Sequence, residues 1–398
     1  MLPGLPNQDA DGSPLIVKLR KSLYGLRQAG REWAELLSAF LVKWGFFRST
    51  IDVCLYTFAH QSHLLWVLVW VDDCVIVDND SSLRSSFVKD LNSAFPVDDK
   101  GDLHWVLQVK VVRNREIKAL TLSQELYVCD LVHRFSHLID GNTKRFDSPC
   151  DPAQHFSSDQ SPSIHSSEYD EMSSYREDYM SLVGAFLWLS NMSRFELSFI
   201  SSQLARFVSN PARVHFNAAI RVLIYLKHTK EKVFELRPNL QQPFLCIFVD
   251  SNWGTGFSIS GAAFTFMGVL FHWFSKTQRS VSMSSTEAEY FSACMAARDG
   301  IFFRELLADF GYVQACPTPI RSDNKGVSDL SWDPVAFKKT KHILRAAKYL
   351  RDVVTQRVAL VRWIPGGDNI ADLFTKAPSI VVFRRLMLLC ADMSVIPV

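Results

Sequence analysis

Two adjacent aspartates, Asp72 and Asp73, follow a run of large apolar and β-branched residues that extends from Leu64 to Val71. This pattern predicts two strands joined by a tight turn that carries both carboxylates. Ionised carboxylates so close together repel each other, and divalent cations such as Mg²⁺ neutralise them while also binding phosphate oxygens. On the dipeptide alone, an exposed Asp-Asp turn is the commoner interpretation, because aspartate is frequent in turns.

Four further acidic residues occupy positions from which their carboxylates could converge. Asp250 closes the apolar run FLCIFVD and Asp323 follows PIRS, so both stand at predicted strand ends. The other two are Glu289 in SMSSTEAEY, at a predicted helix start, and Asp372 in DNIADLFTK. Such a cluster suits hydrolysis of a phosphodiester by two metal ions. Taken singly, each acid also fits a turn or a helix cap.

The segment SSTEAEY leaves open which of its two glutamates belongs to that cluster. Ser284 and Glu287 have the spacing of a capping box, and so do Thr286 and Glu289. Both glutamates therefore have a structural explanation at the start of a helix.

The elements that carry Asp72 and Asp73 begin with a basic zone over residues 15–48. Apolar residues recur at helical spacing from Trp33 to Trp44, and Gly45 follows where a helix would end, which predicts a helix of ~15 residues. Further along the chain the patterns predict strands over Val53–Tyr56, Leu64–Val77, His104–Val112 and Ala119–Leu122, and helices over Leu83–Phe95 and Ser123–Phe135.

The elements that carry the other four acids follow a polar stretch. Residues 141–178 are rich in Ser, Asp and Pro, which favours a linker or long surface loop. Residues 179–236 are helical in pattern, with Leu182, Phe186 and Leu189 on one stripe. Beyond Pro243 the order is strand, strand, strand, helix, strand, helix, strand, which predicts a compact α/β domain.

Composition sets wider limits on the protein. The 398 residues are 48% apolar and suffice for two or three domains of ~150 residues each. The 43 basic and 41 acidic residues nearly cancel, so bulk charge favours neither a nucleic acid nor a membrane partner. No run approaches the ~20 apolar residues of a membrane span, and no secretion signal is evident. The eight cysteines contain no C-x-x-C pair, which predicts reduced thiols rather than a zinc site.

Four segments in order resemble the reverse transcriptase of copia-type LTR retrotransposons. They are SLYGLRQAGREW at 22–33, DVCLYTF at 52–58, VLVWVDDCVIVDND at 67–80 and LSQELYVCDLVHRF at 122–135. The resemblance implies that Asp72 and Asp73 bind the metals of nucleotidyl transfer. It also implies that the segment around Ser22–Arg31 holds template and nucleotide, with Arg27, Gln28 and Arg31 as nucleic-acid-binding candidates. A solvated helix face is the ordinary alternative for Arg27 and Arg31.

The family pattern also includes a third carboxylate on an earlier strand, and the chain starts after that point. Asp9 and Asp11 lie in a Gly/Pro-rich stretch without a strand pattern, so neither is a credible substitute. Trp70 and Gly30 further replace residues that the family usually has as Tyr and Pro. Because two-metal chemistry depends on the full set of carboxylates, we expect this chain alone not to polymerise DNA.

A second series of motifs resembles the ribonuclease H domain of the same polyprotein. The motifs are VDSNW, SISGAAF, SMSSTEAEY, SDNKG, KKTKHI and DNIADLFTK. The resemblance implies that Asp250, Glu289, Asp323 and Asp372 are catalytic metal ligands, with Glu287 in the role of Glu289 as the leading alternative. His342 matches a family histidine, although a packing or surface role is the more common one. A shortened loop before Ser258 and changes at 344, 346 and 348 depart from the family.

Basic residues cluster on the predicted helix from Lys338, although the bulk charge of the chain is nearly neutral. Lys341, Arg345 and Lys348 fall on one face, and such a row can follow a phosphate backbone. A solvated face is the alternative. RNA:DNA hybrids are recognised mainly through backbone shape and 2′-OH groups, so no base specificity is expected.

Together these patterns predict an α/β protein: a palm-like sheet with helices, a helical connector, and a mixed α/β sheet like that of ribonuclease H. The expected divisions are 1–140 partial reverse transcriptase, 141–178 linker, 179–242 connection and 243–390 ribonuclease H-like domain. The predicted function is Mg²⁺- or Mn²⁺-dependent cleavage of RNA in RNA:DNA hybrids, with polymerisation lost. Alternatives are a non-catalytic nucleic-acid-binding remnant or a decayed transposon protein. We expect nucleic acid and other retrotransposon proteins as partners, no membrane, and an intracellular location, in a cytoplasmic particle or the nucleus.

Overall fold

The computed structural model describes residues 11, 19, 22, 23, 25–242, 244–254, 256–332 and 344–391, and for 344–347 the backbone alone. Its contacts divide the chain into two compact units, Met1–Lys100 and Gly101–Val398, here called the first and the second unit. All eight cysteines are free thiols, as the sequence predicts. Among the described residues, no helix is both long and apolar enough to cross a membrane.

The first unit is a four-stranded antiparallel sheet, in the order β1-β2-β3-β4, with two helices. The apolar run Leu64–Val77 divides into two strands that turn at Val71 and Asp72, which confirms the predicted tight turn, although Asp73 already belongs to the second strand. The elements are α1 (Ala29–Trp44), β1 (Phe47–Arg48), β2 (Leu55–His60), β3 (His63–Trp70), β4 (Asp73–Asp78) and α2 (Ser81–Ala94).

The helical spacing of apolar residues accounts for the core of the first unit. The α1 helix ends at Gly45, whose φ of 115° lies in the left-handed region and whose N–H bonds the Leu41 and Val42 carbonyls. The buried side chains of this core are Leu37, Leu41, Phe46, Tyr56, Leu65, Val67, Phe87 and Leu91.

The second unit begins with a small antiparallel sheet and a helical layer. The sheet has the order β5-β6-β7-β8. Leu182, Phe186 and Leu189 are fully buried on one face of α4, which confirms the predicted stripe. The elements are β5 (Trp105–Val106), β6 (Val109–Asn114), β7 (Ala119–Ser123), α3 (Glu125–Arg134), α4 (Ser167–Met192), α5 (Ser198–Ala205), α6 (Arg213–His228) and β8 (Phe234–Leu236).

Helix α4 begins within the stretch that was expected to be a linker. The Ser166 side chain accepts a hydrogen bond from the Tyr169 N–H, and Glu168 and Asp170 lie in the first turn, where the helix dipole favours acids. Met172 is buried in this first part of the helix. Residues 141–166 contain no α-helix or strand, as expected for a surface loop, whereas the low apolar content of 167–178 reflects a mostly solvated helix face.

The rest of the second unit is a five-stranded mixed sheet in the order β11-β10-β9-β12-β13. Strands β9, β10 and β11 are antiparallel, and β12 runs parallel to both β9 and β13. The elements are β9 (Leu245–Asn252), β10 (Ile259–Phe266), β11 (Val269–Thr277), α7 (Ser285–Asp309), β12 (Thr318–Ser322), α8 (Lys325–Trp332), α9 (Leu344–Thr355), β13 (Ala359–Trp363) and α10 (Ile380–Ala391).

This element order confirms the mixed α/β class that the sequence predicts. The predicted helix from Lys338 is described from Leu344 onward, and residues 338–343 lie outside the described part of the chain. The domain boundaries stay predictions, although β5–β7 and α3 fall in the second unit rather than with residues 1–100.

Candidate metal centre

Asp250 lies in β9, at the centre of the five-stranded sheet, and is only 3% exposed. Its partner on the neighbouring strand β10 is Gly261. A Cβ on Gly261 would lie 2.5 Å from Thr375 Cγ2 and 2.9 Å from Phe374 Cβ, so no larger residue fits there. The glycine thus lets the segment around Thr375 pack directly on the sheet, and the Thr375 hydroxyl donates a hydrogen bond to Asp250 Oδ2.

The start of α7 resolves the two possible capping registers in the structure. Ser284 is the N-cap and accepts from the Glu287 N–H at 3.2 Å, while Glu287 Oε2 accepts from the Met283 N–H at 2.7 Å. Glu287 is therefore occupied in the cap. Glu289, two residues further on, accepts from the Ser251 N–H at 3.2 Å, next to Asp250.

Asp323 follows the last residue of β12 and is oriented by Asn369. The Asn369 side-chain amide is fully buried and donates to Asp323 Oδ1 at 3.2 Å and to the Val249 carbonyl at 2.8 Å. Its side-chain oxygen accepts from the Ala371 N–H, at the start of the 3₁₀ helix Ile370–Phe374. One buried amide therefore ties together β9, Asp323 and the helix that carries the fourth acid.

Oxygens of Asp250, Glu289 and Asp323 all lie within 4.8 Å of one another. Glu289 is 6% exposed, and its Oε2 accepts no hydrogen bond from a described donor. Burial, and then the charges of Asp250 and Asp323, raise the pKa of Glu289 well above its usual range. Burial and Asp250 likewise raise the pKa of Asp323. In the metal-free site these carboxyl groups therefore hold protons more readily than solvated ones do, because burial and mutual repulsion disfavour their ionised forms.

Asp372 also interacts with Asp250, and Lys376 contacts both carboxylates. The Lys376 ammonium is 2.7 Å from Asp372 Oδ1 and 3.6 Å from Asp250 Oδ2. Burial and the Asp250 charge raise the pKa of Asp372. Burial alone would lower the pKa of Lys376, but Asp250 and Asp372 outweigh it and raise that pKa.

A buried polar network fixes the first turns of α7 against the sheet. The Gln278 amide donates to Ser260 Oγ in β10 and to the Ala288 carbonyl in α7, both at 2.9 Å. Its oxygen accepts from Ser282 Oγ at 2.8 Å, and Ser292 Oγ donates to Ser260 Oγ at 2.7 Å. Because Ala288 precedes Glu289, this network sets the position of the glutamate backbone relative to β10.

Asp72 and Asp73 have different surroundings in the first unit. Both are exposed, Asp72 in the turn and Asp73 at the first position of β4, opposite Trp70. The Trp33 indole N–H donates to the Val71 carbonyl at 2.9 Å and holds the turn against α1. Within the described residues, no third acidic, His or Cys side chain joins these two to form a metal-binding group.

The predicted nucleic-acid-binding residues are partly described. Arg27 and Gln28 are exposed at the start of α1, and exposed Arg31 forms an ion pair with Glu35 at 2.7 Å. Lys348 is exposed in α9. Lys341 and His342 lie outside the described residues, and Arg345 is described by its backbone alone.

Sequence reasoning missed the residues that hold the carboxylates in place: Gly261, Gln278, Asn369, Thr375 and Lys376. The i, i+4 spacing of Asp372 and Lys376 was a usable signal, because residues so spaced are neighbours on a helix. The other contacts join residues far apart in sequence, as Thr375 and Asp250 are.

The fold and the acidic site together define a class: a mixed α/β protein whose central strand carries a buried carboxylate cluster suited to divalent cations. Residues 3–148 match the family model described as reverse transcriptase (RNA-dependent DNA polymerase). The chain is 29% identical over 390 residues to the Retrovirus-related Pol polyprotein from transposon TNT 1-94 of Nicotiana tabacum, covering 95% of this chain and 28% of that protein. It is 30% identical over 383 residues to the one from transposon RE2 of Arabidopsis thaliana, covering 95% and 25%.

Residues 3–148 thus match a reverse transcriptase, and 95% of the chain is similar to retrovirus-related Pol polyproteins of plant transposons. The chain spans about a quarter of the length of the curated relatives named above. Among solved structures, it is similar to LC11-RNase H1 in complex with RNA/DNA hybrid, with 17% identity, a TM-score of 0.27, and coverage of 33% of this chain and 94% of that one.

Proposed function

We propose that the second unit hydrolyses RNA in RNA:DNA hybrids with Mg²⁺, or Mn²⁺ in its place, at the site of Asp250, Glu289, Asp323 and Asp372. The observation that carries the proposal is the group of three carboxylates around Asp250, two of them buried and Asp323 half-buried, in which Glu289 Oε2 accepts no hydrogen bond from a described donor. Buried charge of one sign is costly unless a cation compensates it. A structural role alone leaves that cost unexplained.

The donor set fits hard divalent cations, because Mg²⁺ and Mn²⁺ prefer carboxylate oxygens. Asp250, Glu289 and Asp323 would hold one ion, and Asp250 with Asp372 a second. When bound, such ions supply an activated water and stabilise the leaving oxygen of a phosphodiester.

The chain's own residues contribute by holding these oxygens in place. The Ser251 N–H orients Glu289, Asn369 orients Asp323, and the Thr375 hydroxyl orients Asp250. Hydrogen bonds of this kind fix ligand geometry before substrate arrives, and their loss commonly costs about 10- to 100-fold in metal affinity or activity.

The proposed substrate follows from the reverse transcriptase part and from the Pol polyproteins that the chain resembles. Reverse transcription yields RNA paired with DNA, and hydrolysis of that RNA is a chemistry the acidic site can perform. Lys348 in α9, together with the predicted contributions of Lys341 and Arg345, would contact the phosphate backbone.

For the reverse transcriptase part we propose that Asp72 and Asp73 are the family's metal-binding pair and that Arg27, Gln28 and Arg31 face nucleic acid. We keep the prediction that this chain does not polymerise DNA by itself, because two-metal chemistry depends on more carboxylates than this pair. We also keep the proposed divisions at 1–140, 141–178, 179–242 and 243–390.

The test compares Asp323→Asn with Asp329→Asn in the full chain. Asp323 is a proposed ligand, whereas Asp329 is exposed in α8, a few residues along the chain. Cleavage of a labelled RNA:DNA hybrid in Mg²⁺ is expected to fall at least about 100-fold in Asp323→Asn, the scale expected when a metal ligand is lost. Asp329→Asn is expected to cleave like the wild type.

Two other outcomes would reject hydrolysis. Hybrid binding by the wild type without any cleavage would favour the non-catalytic nucleic-acid-binding alternative. Cleavage that survives Asp323→Asn at the wild-type rate would assign the activity to another site.

A further inference from the structure

Lys376 is the residue of this site whose contacts the proposed hydrolysis does not explain. It follows the 3₁₀ helix Ile370–Phe374, and its ammonium bridges Asp372 and Asp250 at 2.7 and 3.6 Å. Within the described part of the chain, neither carboxylate forms an ion pair with another residue. Lys376 is therefore the protein's own counter-ion for one half of the acidic site.

Glu289 and Asp323, the other acids beside Asp250, form no ion pair with Lys376. The oxygens of Asp250, Glu289 and Asp323 lie within 4.8 Å of one another. No described Lys, Arg or His forms an ion pair with Glu289 or Asp323. The site is asymmetric: the ammonium forms ion pairs with Asp250 and Asp372, whereas it acts on Asp323 only through longer-range charge and forms no ion pair with Glu289.

The position of the ammonium conflicts with a divalent cation at Asp250 and Asp372. An ion held by both residues would lie between their oxygens, where the Lys376 Nζ already lies. Two cations so close repel each other strongly in a partly buried site. The two therefore bind in competition.

The side chain of Lys376 can move from the site into solvent. It is 43% exposed, whereas Asp250 and Asp372 beside it are 4% and 13% exposed. A lysine carries its charge on a flexible stem and can move its head into water while the stem stays packed. Displacement therefore requires a rotamer change and no opening of the core.

We propose that Lys376 is a built-in competitor for one of the two divalent cations of this site. It stabilises the Asp250–Asp372 half when metal is absent, and it has to leave before an ion binds there. This inference rests on the proposed function, because it needs the site to bind metal. Its consequence is that the two ions bind with unequal affinity.

The test is calorimetric titration of the full chain with Mn²⁺ alone, for the wild type and Lys376→Met. The wild type is expected to bind one ion and then a second more weakly. In Lys376→Met the second ion is expected to bind about tenfold more tightly, because its competitor is gone. Thermal unfolding gives a second readout: the rise in melting temperature that Mn²⁺ produces should be larger in the variant.

Two further variants separate competition from a change in overall charge. Lys227→Met removes an exposed lysine of the same unit, in the last turn of α6, and it should titrate like the wild type. Lys376→Arg keeps a cation beside the carboxylates, so the second ion should stay weak. It also serves as the test variant should Lys376→Met fail to fold.

The outcomes distinguish this inference from the proposed function. Equal second-ion affinity in the wild type and Lys376→Met, or a second ion in Lys376→Arg that binds about tenfold more tightly, would overturn the competition. If Asp323→Asn binds Mn²⁺ just as the wild type does, the proposed metal site itself fails. Loss of binding in Asp323→Asn together with an unchanged Lys376→Met would reject the competition alone.

Discussion

The two groups of carboxylates in this chain differ in burial and in how their charge is compensated. Asp72 and Asp73 are adjacent in sequence, exposed and surrounded by solvent. Asp250, Glu289 and Asp323 are far apart in sequence, yet the sheet and α7 bring their oxygens within 4.8 Å of one another. Water solvates and screens the first pair, whereas in the second group burial and mutual repulsion raise the pKa of Glu289 and Asp323. Spacing in the sequence is therefore a poorer guide than burial to where carboxylates interact strongly.

Glu196, a carboxylate outside both groups, shows that burial alone does not decide how a carboxyl pKa shifts. Glu196 is 3% exposed, and its Oε1 accepts from Arg194 Nε at 2.8 Å and from Lys232 Nζ at 3.1 Å. Burial alone would raise the pKa of Glu196, yet Lys232 and Arg194 together lower it to about 2. The pKa of the similarly buried Glu289 shifts the opposite way. What differs between the two glutamates is the charge of their neighbours.

The largest expected effect tests this difference on stability. Glu196→Gln removes the anion from two buried or half-buried cations, which should lower the free energy of unfolding by about 3 kcal/mol. Glu289→Gln removes a carboxylate that its neighbours destabilise, so it should leave that free energy unchanged or raise it. Urea unfolding of the full chain, followed by circular dichroism in chelator-treated buffer, measures both.

The two variants are matched controls for each other, since each replaces a buried glutamate by its amide. A loss of stability in Glu289→Gln as large as that in Glu196→Gln would mean that Glu289 is paired in the metal-free protein. The contrast between a structural and a cation-binding carboxylate would then fail.

The sequence was sufficient for the framework of the site. Asp250 and Asp323 follow apolar runs long enough to be central strands, and such runs depend on local residue order. The start of α7 was also predicted, but the segment SSTEAEY is compatible with two capping boxes, one with Glu287 and one with Glu289. Only packing distinguishes them, because the Glu289 contact is to the Ser251 N–H on another element.

The remaining parts of the site depend on contacts that no local pattern records. Gly261 is part of the motif SISGAAF, but the motif does not show why a glycine is required there. The reason is the close approach of Thr375, more than a hundred residues further along the chain. The start of α4 was missed for a related reason. One buried residue, Met172, among polar neighbours is a weak signal in the sequence.

A smaller effect is expected from Gln278, which touches no carboxylate. Gln278→Met keeps the side-chain volume and deletes the hydrogen bonds to Ser260 and Ala288 that hold the start of α7. Displacement of Glu289 should lower kcat of hybrid cleavage about tenfold with KM nearly unchanged, and weaken Mn²⁺ binding by a similar factor. Steady-state kinetics and calorimetry measure the two quantities.

The control for that variant is Gln356→Met, which changes an exposed glutamine after α9 and should leave both quantities unchanged. A lower melting temperature of Gln278→Met with wild-type kcat and Mn²⁺ affinity would show that Gln278 serves stability alone. The Gln278 hydrogen bonds would then give no support to the view that the buried carboxylates are preorganised for metal binding.

The smallest effects are expected at the exposed pair. Asp72→Asn and Asp73→Asn each remove a charge that water already solvates, so the melting temperature should change by less than about 1 °C. In the absence of nucleic acid, the number of Mn²⁺ ions bound should equal that of the wild type, because two exposed carboxylates without a third ligand hold such an ion weakly. Calorimetric titration checks the count, with Asp250→Asn as the variant that should reduce it. A lower count in Asp73→Asn would show that the exposed pair binds metal on its own, and burial would no longer separate the two groups.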